Sequence, residues 1–278
     1  MLKFTSGTAQ LISCSPFYGD FLYTAFPNSI IMKISVIFPS KNREDYVKRA
    51  VKTAFKAECV MEVIIVDGGS QDRTIEIAKK HGAKVIVQSD LTYPGKGIAM
   101  RDGAYLSRGD ILVYLDIDIK NITPEFIEKL AKPLINGEAE FVKGCFERSA
   151  GRVTELVAKP LLRMFYPELA KFKQPLSGEI AGLRKLFYKV DFERGWGVDV
   201  GLLIDFHNFR ARIVEKDVGY KDHDMKPLHA LTDMAYEVAG TILRRAVRDR
   251  KIDTQWAEKY LKEVRTLDLG IESGEGFA

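Results

Sequence analysis

Two carboxylates close an apolar run in the middle of the chain, Ile111-Leu112-Val113-Tyr114-Leu115-Asp116-Ile117-Asp118. A buried strand has no structural need for Asp, so a pair separated by one residue at its end suggests chemistry. The two can divide the work, one holding a divalent cation and the other a sugar hydroxyl. Mg²⁺ and Mn²⁺ take oxygen ligands and often bind through one or two carboxylates plus substrate phosphates. A lone Asp-x-Asp more commonly caps the following turn. The weight of the motif therefore rests on the loops around it.

Three such loops precede it. Pro39-Ser40-Lys41-Asn42-Arg43-Glu44 and Asp67-Gly68-Gly69-Ser70-Gln71-Asp72 carry carboxylates and hydroxyls, and Tyr93-Pro94-Gly95-Lys96-Gly97 sets a lysine between two glycines. Gly95 and Gly97 would let backbone approach a phosphate, and Lys96 supplies a point charge. Asp-Gly and Gly-Lys-Gly are ordinary turns taken singly. Four successive turns that all carry groups able to hold a substrate are much less ordinary.

The elements that must hold these loops alternate. Short apolar runs predict strands over 34–38, 62–66, 84–87 and from 111 up to Asp116, with helical patterns over 43–57, 72–80 and 98–106 between them. Right-handed crossovers then give a parallel sheet, and ligands of such sheets bind beyond the carboxyl ends of the strands. All four loops should share that rim. Thr123-Pro124 opens a further helix, with Pro124 at its first position. The second half is less regular: a strand over 140–146, helices over 154–164 and 198–209, a short strand over 212–214, a long helix over 231–250 and a last one over 254–264. The stripe Met234, Val238, Ile242, Ala246 on the long helix could face the core or a second copy of the chain.

The bulk numbers bound the answer. The 278 residues are 46% hydrophobic, which suits one large α/β domain. A net charge of +4, from 42 basic and 38 acidic residues, is no nucleic-acid footprint. It is compatible with small anionic substrates. Three scattered cysteines, Cys14, Cys59 and Cys145, form neither a metal motif nor a disulfide framework and point to a reducing compartment, the cytoplasm. No run reaches the length of a membrane span. Residues 1–31 make a poor signal peptide, and Met32 leads directly into a strand. Residues 1–31 are therefore expected to be a non-native or disordered extension, which intact-mass analysis of native protein would test.

The four loops together resemble the nucleotide-sugar half of a GT-A glycosyltransferase, a Rossmann-like sheet that binds nucleotide-sugars, here with a helical C-terminal extension. The second half is more specific. Gly151-Arg152-Val153-Thr154-Glu155-Leu156, Gln174-Pro175-Leu176-Ser177-Gly178-Glu179 and the segment from Gly195 to Asp205 resemble the glucosyl-3-phosphoglycerate synthases. The likeness covers about 32–250. It implies a domain over 32–228, with a nucleotide-sugar half over about 32–120 and an acceptor half over about 121–228, and a helical segment and tail over 229–278.

The resemblance also implies roles. Pro39, Ser40 and Glu44 would line the uracil and ribose pocket with Asp67 and Ser70 beside it. Lys96 would touch the base edge or the phosphates, and Asp116 the ribose or sugar. Asp118 and His223 would hold Mg²⁺ or Mn²⁺. Arg152, Thr154 and Lys226 would meet a phosphorylated acceptor, and Gly178 would sit against the donor sugar. Glu179 and Asp199 would orient the acceptor or stabilise an oxocarbenium-like sugar. The residues alone also allow Thr154 to be a plain helix cap and His223 a surface-loop histidine. Met225 and Lys226 stand where these synthases carry Asn and Arg. Met225 cannot hydrogen-bond an acceptor as Asn would, and Lys226 lacks the bidentate fork of Arg. Asp199 stands for a more usual Glu. The implied activity is transfer of glucose, or another hexose, from a UDP-sugar to 3-phosphoglycerate with retention. The alternatives are an inverting transferase acting on a lipid or glycan, and a nucleotidyltransferase.

Overall fold

The computed structural model describes residues 32–93, 95–147, 151–222 and 231–267. The expectations for residues 1–31, His223 and Lys226 lie outside the described residues. Seven strands form one sheet: β1 (Ile34–Ser40), β2 (Val60–Asp67), β3 (Lys84–Val87), β4 (Ile111–Tyr114), β5 (Phe141–Cys145), β6 (Ile180–Leu183) and β7 (Ile213–Asp217). Their spatial order is β3-β2-β1-β4-β6-β5-β7. Helices α1 (Glu44–Ala54), α2 (Thr74–Lys80), α3 (Lys96–Leu106) and α4 (Pro124–Ile135) alternate with the first strands. After β5 come α5 (Lys159–Phe165), the short α6 (Arg184–Phe187), α7 (Val198–Asn208), α8 (Thr232–Arg248) and α9 (Thr254–Leu267).

Period-two alternation splits the core into two layers. Ile34, Val36 and Phe38 of β1 face one cluster together with Val47 and Val51 of α1 and Ile127 and Leu130 of α4. Ile37 faces the other, with Met100 of α3, Leu203 of α7 and Ile242 of α8. The sheet is thus covered on both sides, which is why its strands read as unbroken apolar runs rather than alternating ones. Val238, Ile242 and Ala246 of the long helix are fully buried, so that face packs inside this chain. No helix among the described residues is long and apolar enough to cross a membrane.

The alternation predicted a parallel sheet, and the sheet is instead mixed. β6 pairs antiparallel with both β4 and β5, Tyr114 opposite Ile180 and Lys143 also opposite Ile180. The cause is topological. The segment after α5 returns to the rim where the other strands end, so the strand that follows it must run away from that rim. Ile180-Ala181-Gly182-Leu183 is too short and too rich in small residues to announce itself as a strand. The consequence is that Glu179, at the start of β6, lies beside the carboxyl end of β4.

Candidate active site

The ends of β1 and β2 build the first part of the rim. Ser40 and Asp67 are register partners, and Gly68 N donates to Ser40 O at 2.8 Å. The fully buried Asp67 turns its carboxylate into its own loop. Oδ2 accepts from the backbone N–H groups of Gly69 (2.9 Å) and Ser70 (2.8 Å), and Oδ1 accepts from the Ser70 hydroxyl. Ser70 Oγ in turn accepts from Asn42 N at 2.9 Å, and Asn42 Oδ1 from Gln71 N at 2.8 Å. Asn42 holds the left-handed φ of 52° that Asn tolerates better than most residues. Glu44 accepts from the backbone N and side-chain Nε of Arg73, both at 3.2 Å. Pro39, Ser40, Glu44, Asp67 and Ser70 are thus drawn together by two stitched loops. The hydroxyl of Ser40 is buried and has no protein partner among the described residues.

The centre of the rim is a chain of alternating charges. Lys96, at the first position of α3, donates to Asp199 Oδ2 at 2.8 Å and lies 3.2 Å from Asp116 Oδ1. The other oxygen of Asp116 accepts from Lys221 at 2.9 Å, and Lys221 also donates to Glu179 Oε1 at 2.6 Å. Ser177 Oγ completes the line by donating to Glu179 Oε2 at 2.8 Å. Gly178 is enclosed by this chain, since a Cβ there would stand 2.3 Å from Lys96 Nζ and 2.8 Å from Asp116 Oδ1.

Burial sets the electrostatics. Burial alone would push the Asp116 carboxyl up, but Lys221 and Lys96 outweigh it and hold the group well below the usual carboxylate range. Glu179 goes the other way: burial raises it, the neighbouring Asp116 adds to the rise, and Lys221 opposes it. Burial would lower both lysines, yet both are raised, Lys96 by Asp116 and Asp199 and Lys221 by Asp116 and Glu179. The centre therefore sets two raised ammonium groups beside one carboxyl held low, Asp116, and one pushed up, Glu179.

Asp118 stands apart from this chain. It is about a third exposed, and its Oδ2 lies 3.6 Å from Arg43 Nη2. Both oxygens of Asp116 are held by lysines, which leaves Asp118 as the carboxylate open to a metal. The described residues contain no group of three side chains able to hold an ion. A cation here would have one protein carboxylate from these residues and the oxygens of a substrate, a donor set that suits Mg²⁺. Asp222, beside the segment that carries His223, accepts from Lys120 N at 2.8 Å, so the chain enters that segment next to the Asp118 turn.

Other expected features differ. Gly95 and Gly97 do not hold α3 open for a phosphate. The backbone of Glu193 and Arg194 passes there, with Arg194 O accepting from Gly97 N and Ile98 N at 3.0 and 3.2 Å. A Cβ on Gly97 would stand 1.6 Å from Glu193 O. Thr154 is no helix cap: it is buried and opens a wide π-type turn, Thr154–Ala158, inside a stretch that begins at the exposed Arg152. Such turns recur at functional sites. Two residues of the centre escaped the sequence reading. Lys221 carries no motif of its own. Lys143 is a charged residue inside a buried strand, the same signal that drew attention to Asp116.

A doubly covered sheet with a charged rim at its strand ends is the architecture of a GT-A glycosyltransferase. The chain belongs to glycosyl transferase family 2, whose sequence pattern runs through residues 35–196. Within that family it is similar to the glucosyl-3-phosphoglycerate synthases. The one from Petrotoga mobilis is 38% identical over 256 residues, spanning 83% of this chain and 79% of that protein. The one from Mycolicibacterium smegmatis is 36% identical over 233 residues, spanning 76% and 77%. The crystal structure of the Mycobacterium tuberculosis glucosyl-3-phosphoglycerate synthase with Mn²⁺, uridine-diphosphate-glucose and phosphoglyceric acid matches with a TM-score of 0.73. It is 37% identical, over 77% of this chain and 79% of that one.

Proposed function

We propose that this glycosyltransferase moves glucose from UDP-glucose to 3-phosphoglycerate, with retention of anomeric configuration and with Mg²⁺ or Mn²⁺. The observation that carries the reading is the pair of lysines, the largely buried Lys96 and the buried Lys221, flanking Asp116 just beyond β4. Breaking a sugar–diphosphate bond leaves charge on the distal phosphate, and fixed cations in a water-poor site are the groups that stabilise it. The likeness to synthases that bind UDP-glucose and phosphoglyceric acid supports both substrates.

The residues would share the work as follows. Pro39, Ser40, Glu44, Asp67 and Ser70 form the base and ribose end of the donor pocket, with the unpartnered Ser40 hydroxyl available to the nucleoside. Asp116 meets the sugar or ribose, and Lys96 the phosphates. Asp118, with His223 by resemblance, would hold the divalent ion. When bound, that ion would draw electron density from the diphosphate and ease its departure. Arg152, Thr154 and Lys226 meet the acceptor, and Gly178 would sit against the donor sugar.

Retention fits a centre whose carboxylates are engaged with neighbouring cations and hydroxyls. Glu179 is held by Lys221 and Ser177, and Asp199 gives one oxygen to Lys96. Both suit orientation of the acceptor and stabilisation of a positively charged sugar. Front-face attack, in which the departing phosphate takes the acceptor proton, then needs no protein base. Neither Cys59 nor Cys145 forms a disulfide among the described residues, which fits a reducing, cytoplasmic setting.

The test is purified protein with Mg²⁺ or Mn²⁺, a panel of nucleotide-sugars, and 3-phosphoglycerate against glycerate and lipid phosphates, read by nucleotide release and product NMR. UDP release with 3-phosphoglycerate and an α-linked product is expected. A β-linked product would refute retention, and pyrophosphate release from a nucleoside triphosphate would refute the transferase reading altogether.

A further inference from the structure

Lys143 lies inside β5 with none of its surface in contact with solvent. An ammonium out of water is costly unless it is closely paired. Lys143 has no ion-pair partner among the described residues. Among those residues its Nζ makes one hydrogen bond, to the backbone carbonyl of Asp199 at 2.9 Å. That carbonyl belongs to the first turn of α7, directly after Gly195-Trp196-Gly197. Asp199 presents Oδ2 to Lys96 and keeps Oδ1 buried without a hydrogen-bond partner. The charged groups that face Lys143 are Asp199 from α7, Lys96 from α3, Glu179 ahead of β6 and Glu215 from β7.

We propose that Lys143 is a positioning residue for the transfer reaction, pinning the first turn of α7 so that Asp199 keeps one carboxylate oxygen on Lys96 and turns the other toward the donor sugar. The proposal rests on the transferase reading above. A charge buried at this expense does little for stability and is explained by what it aligns. Among the described residues the Asp199 carbonyl is the only atom it grips, and the side chain on the same residue is the one with an oxygen left open. Burial pulls the Lys143 ammonium down to about 8, with Asp199 opposing and Lys96 reinforcing the fall. The grip should therefore weaken just above neutral pH.

Lys143→Met keeps the volume and removes the donor; Lys143→Arg keeps a charge. Both are compared with wild type for kcat, for KM toward UDP-glucose, and across pH 7 to 9.5. Lys143→Met should fold, keep KM within about twofold and lose kcat by about 100-fold, the scale of a small misplacement at a reacting centre. Its kcat should lose the alkaline fall that wild type shows near pH 8, and Lys143→Arg should recover part of the rate. A Lys143→Met enzyme with wild-type kcat and pH profile overturns the proposal. Should that variant fail to fold, a wild-type kcat that stays flat to pH 9.5 overturns it instead. If wild type itself transfers no glucose, the transferase reading fails first, and the two failures are told apart.

Discussion

Replacing Lys221 with methionine would leave the Glu179 carboxyl buried without its cation. In the wild type Lys221 sits 2.6 Å from Glu179 Oε1 and 2.9 Å from Asp116 Oδ2, with about 4% of its side chain exposed. Asp116 keeps Lys96 and is 31% exposed, so water and the second lysine absorb most of its loss. Glu179 has no exposure and, among the described residues, no other cation in contact, so the penalty falls there. Breaking one partner out of a buried ion pair costs about 3–5 kcal/mol. For a chain of this size that is a fall in melting temperature of roughly 5–9 °C near neutral pH. The pH dependence has a definite sign. A carboxyl whose folded pKa is raised binds more protons folded than unfolded, so lowering the pH favours the folded state. Glu179 is already raised, and losing Lys221 raises it further. The deficit of Lys221→Met against wild type should therefore shrink from pH 8 to pH 5. Adding Glu179→Gln should restore most of the loss, since a neutral amide needs no cation. Differential scanning calorimetry of the three proteins at both pH values tests this. An equal deficit at pH 5 and pH 8, or a double variant as unstable as the single, refutes the reasoning.

Three further outcomes follow from the same geometry. Gly178→Ala must displace the Lys96 ammonium from its place between Asp116 and Asp199, and kcat/KM for UDP-glucose should fall about 100-fold with little change in melting temperature; steady-state kinetics within threefold of wild type would count against the enclosed network. Gly97→Ala meets backbone rather than a movable side chain, so it should cost at least about 3 kcal/mol and appear as poor soluble yield or a clear drop in denaturant midpoint. Asp118→Ala should abolish the gain in UDP affinity that Mn²⁺ brings, measured by titration calorimetry with and without the ion. A gain that persists would move the metal off Asp118.

The donor side was readable because its signals are local. Asp67-Gly68-Gly69-Ser70 is a turn whose hydrogen bonds close within four residues, and a carboxylate at the end of an apolar strand is conspicuous by type alone. β6 was missed because its four residues are short, small and set antiparallel by a return path that periodicity does not encode. Gly95 and Gly97 were misread for a related reason. Their small size answers the close passage of Glu193 and Arg194, nearly a hundred residues away, and a glycine looks the same whether it admits a phosphate or a backbone. Lys221 had no local signal, because its partners Asp116 and Glu179 lie far off in sequence. Lys143 did have one, since a lysine between Val142 and Gly144 in a buried strand is as anomalous as Asp116.

The reversed strand β6 has a consequence for how such a protein can change. It carries Glu179 from the later half of the chain to the carboxylate of the earlier half, and Lys221 joins the two. The links Lys96–Asp199 and Lys221–Asp116 span 103 and 105 residues. The two halves of the chain are thus wired into one electrical unit. A substitution at Glu179 or Lys221 also resets the charge around Asp116. The two halves cannot drift independently, and they could not be exchanged between relatives like cartridges. Change would have to come by paired substitutions on both sides of the β4–β6 seam.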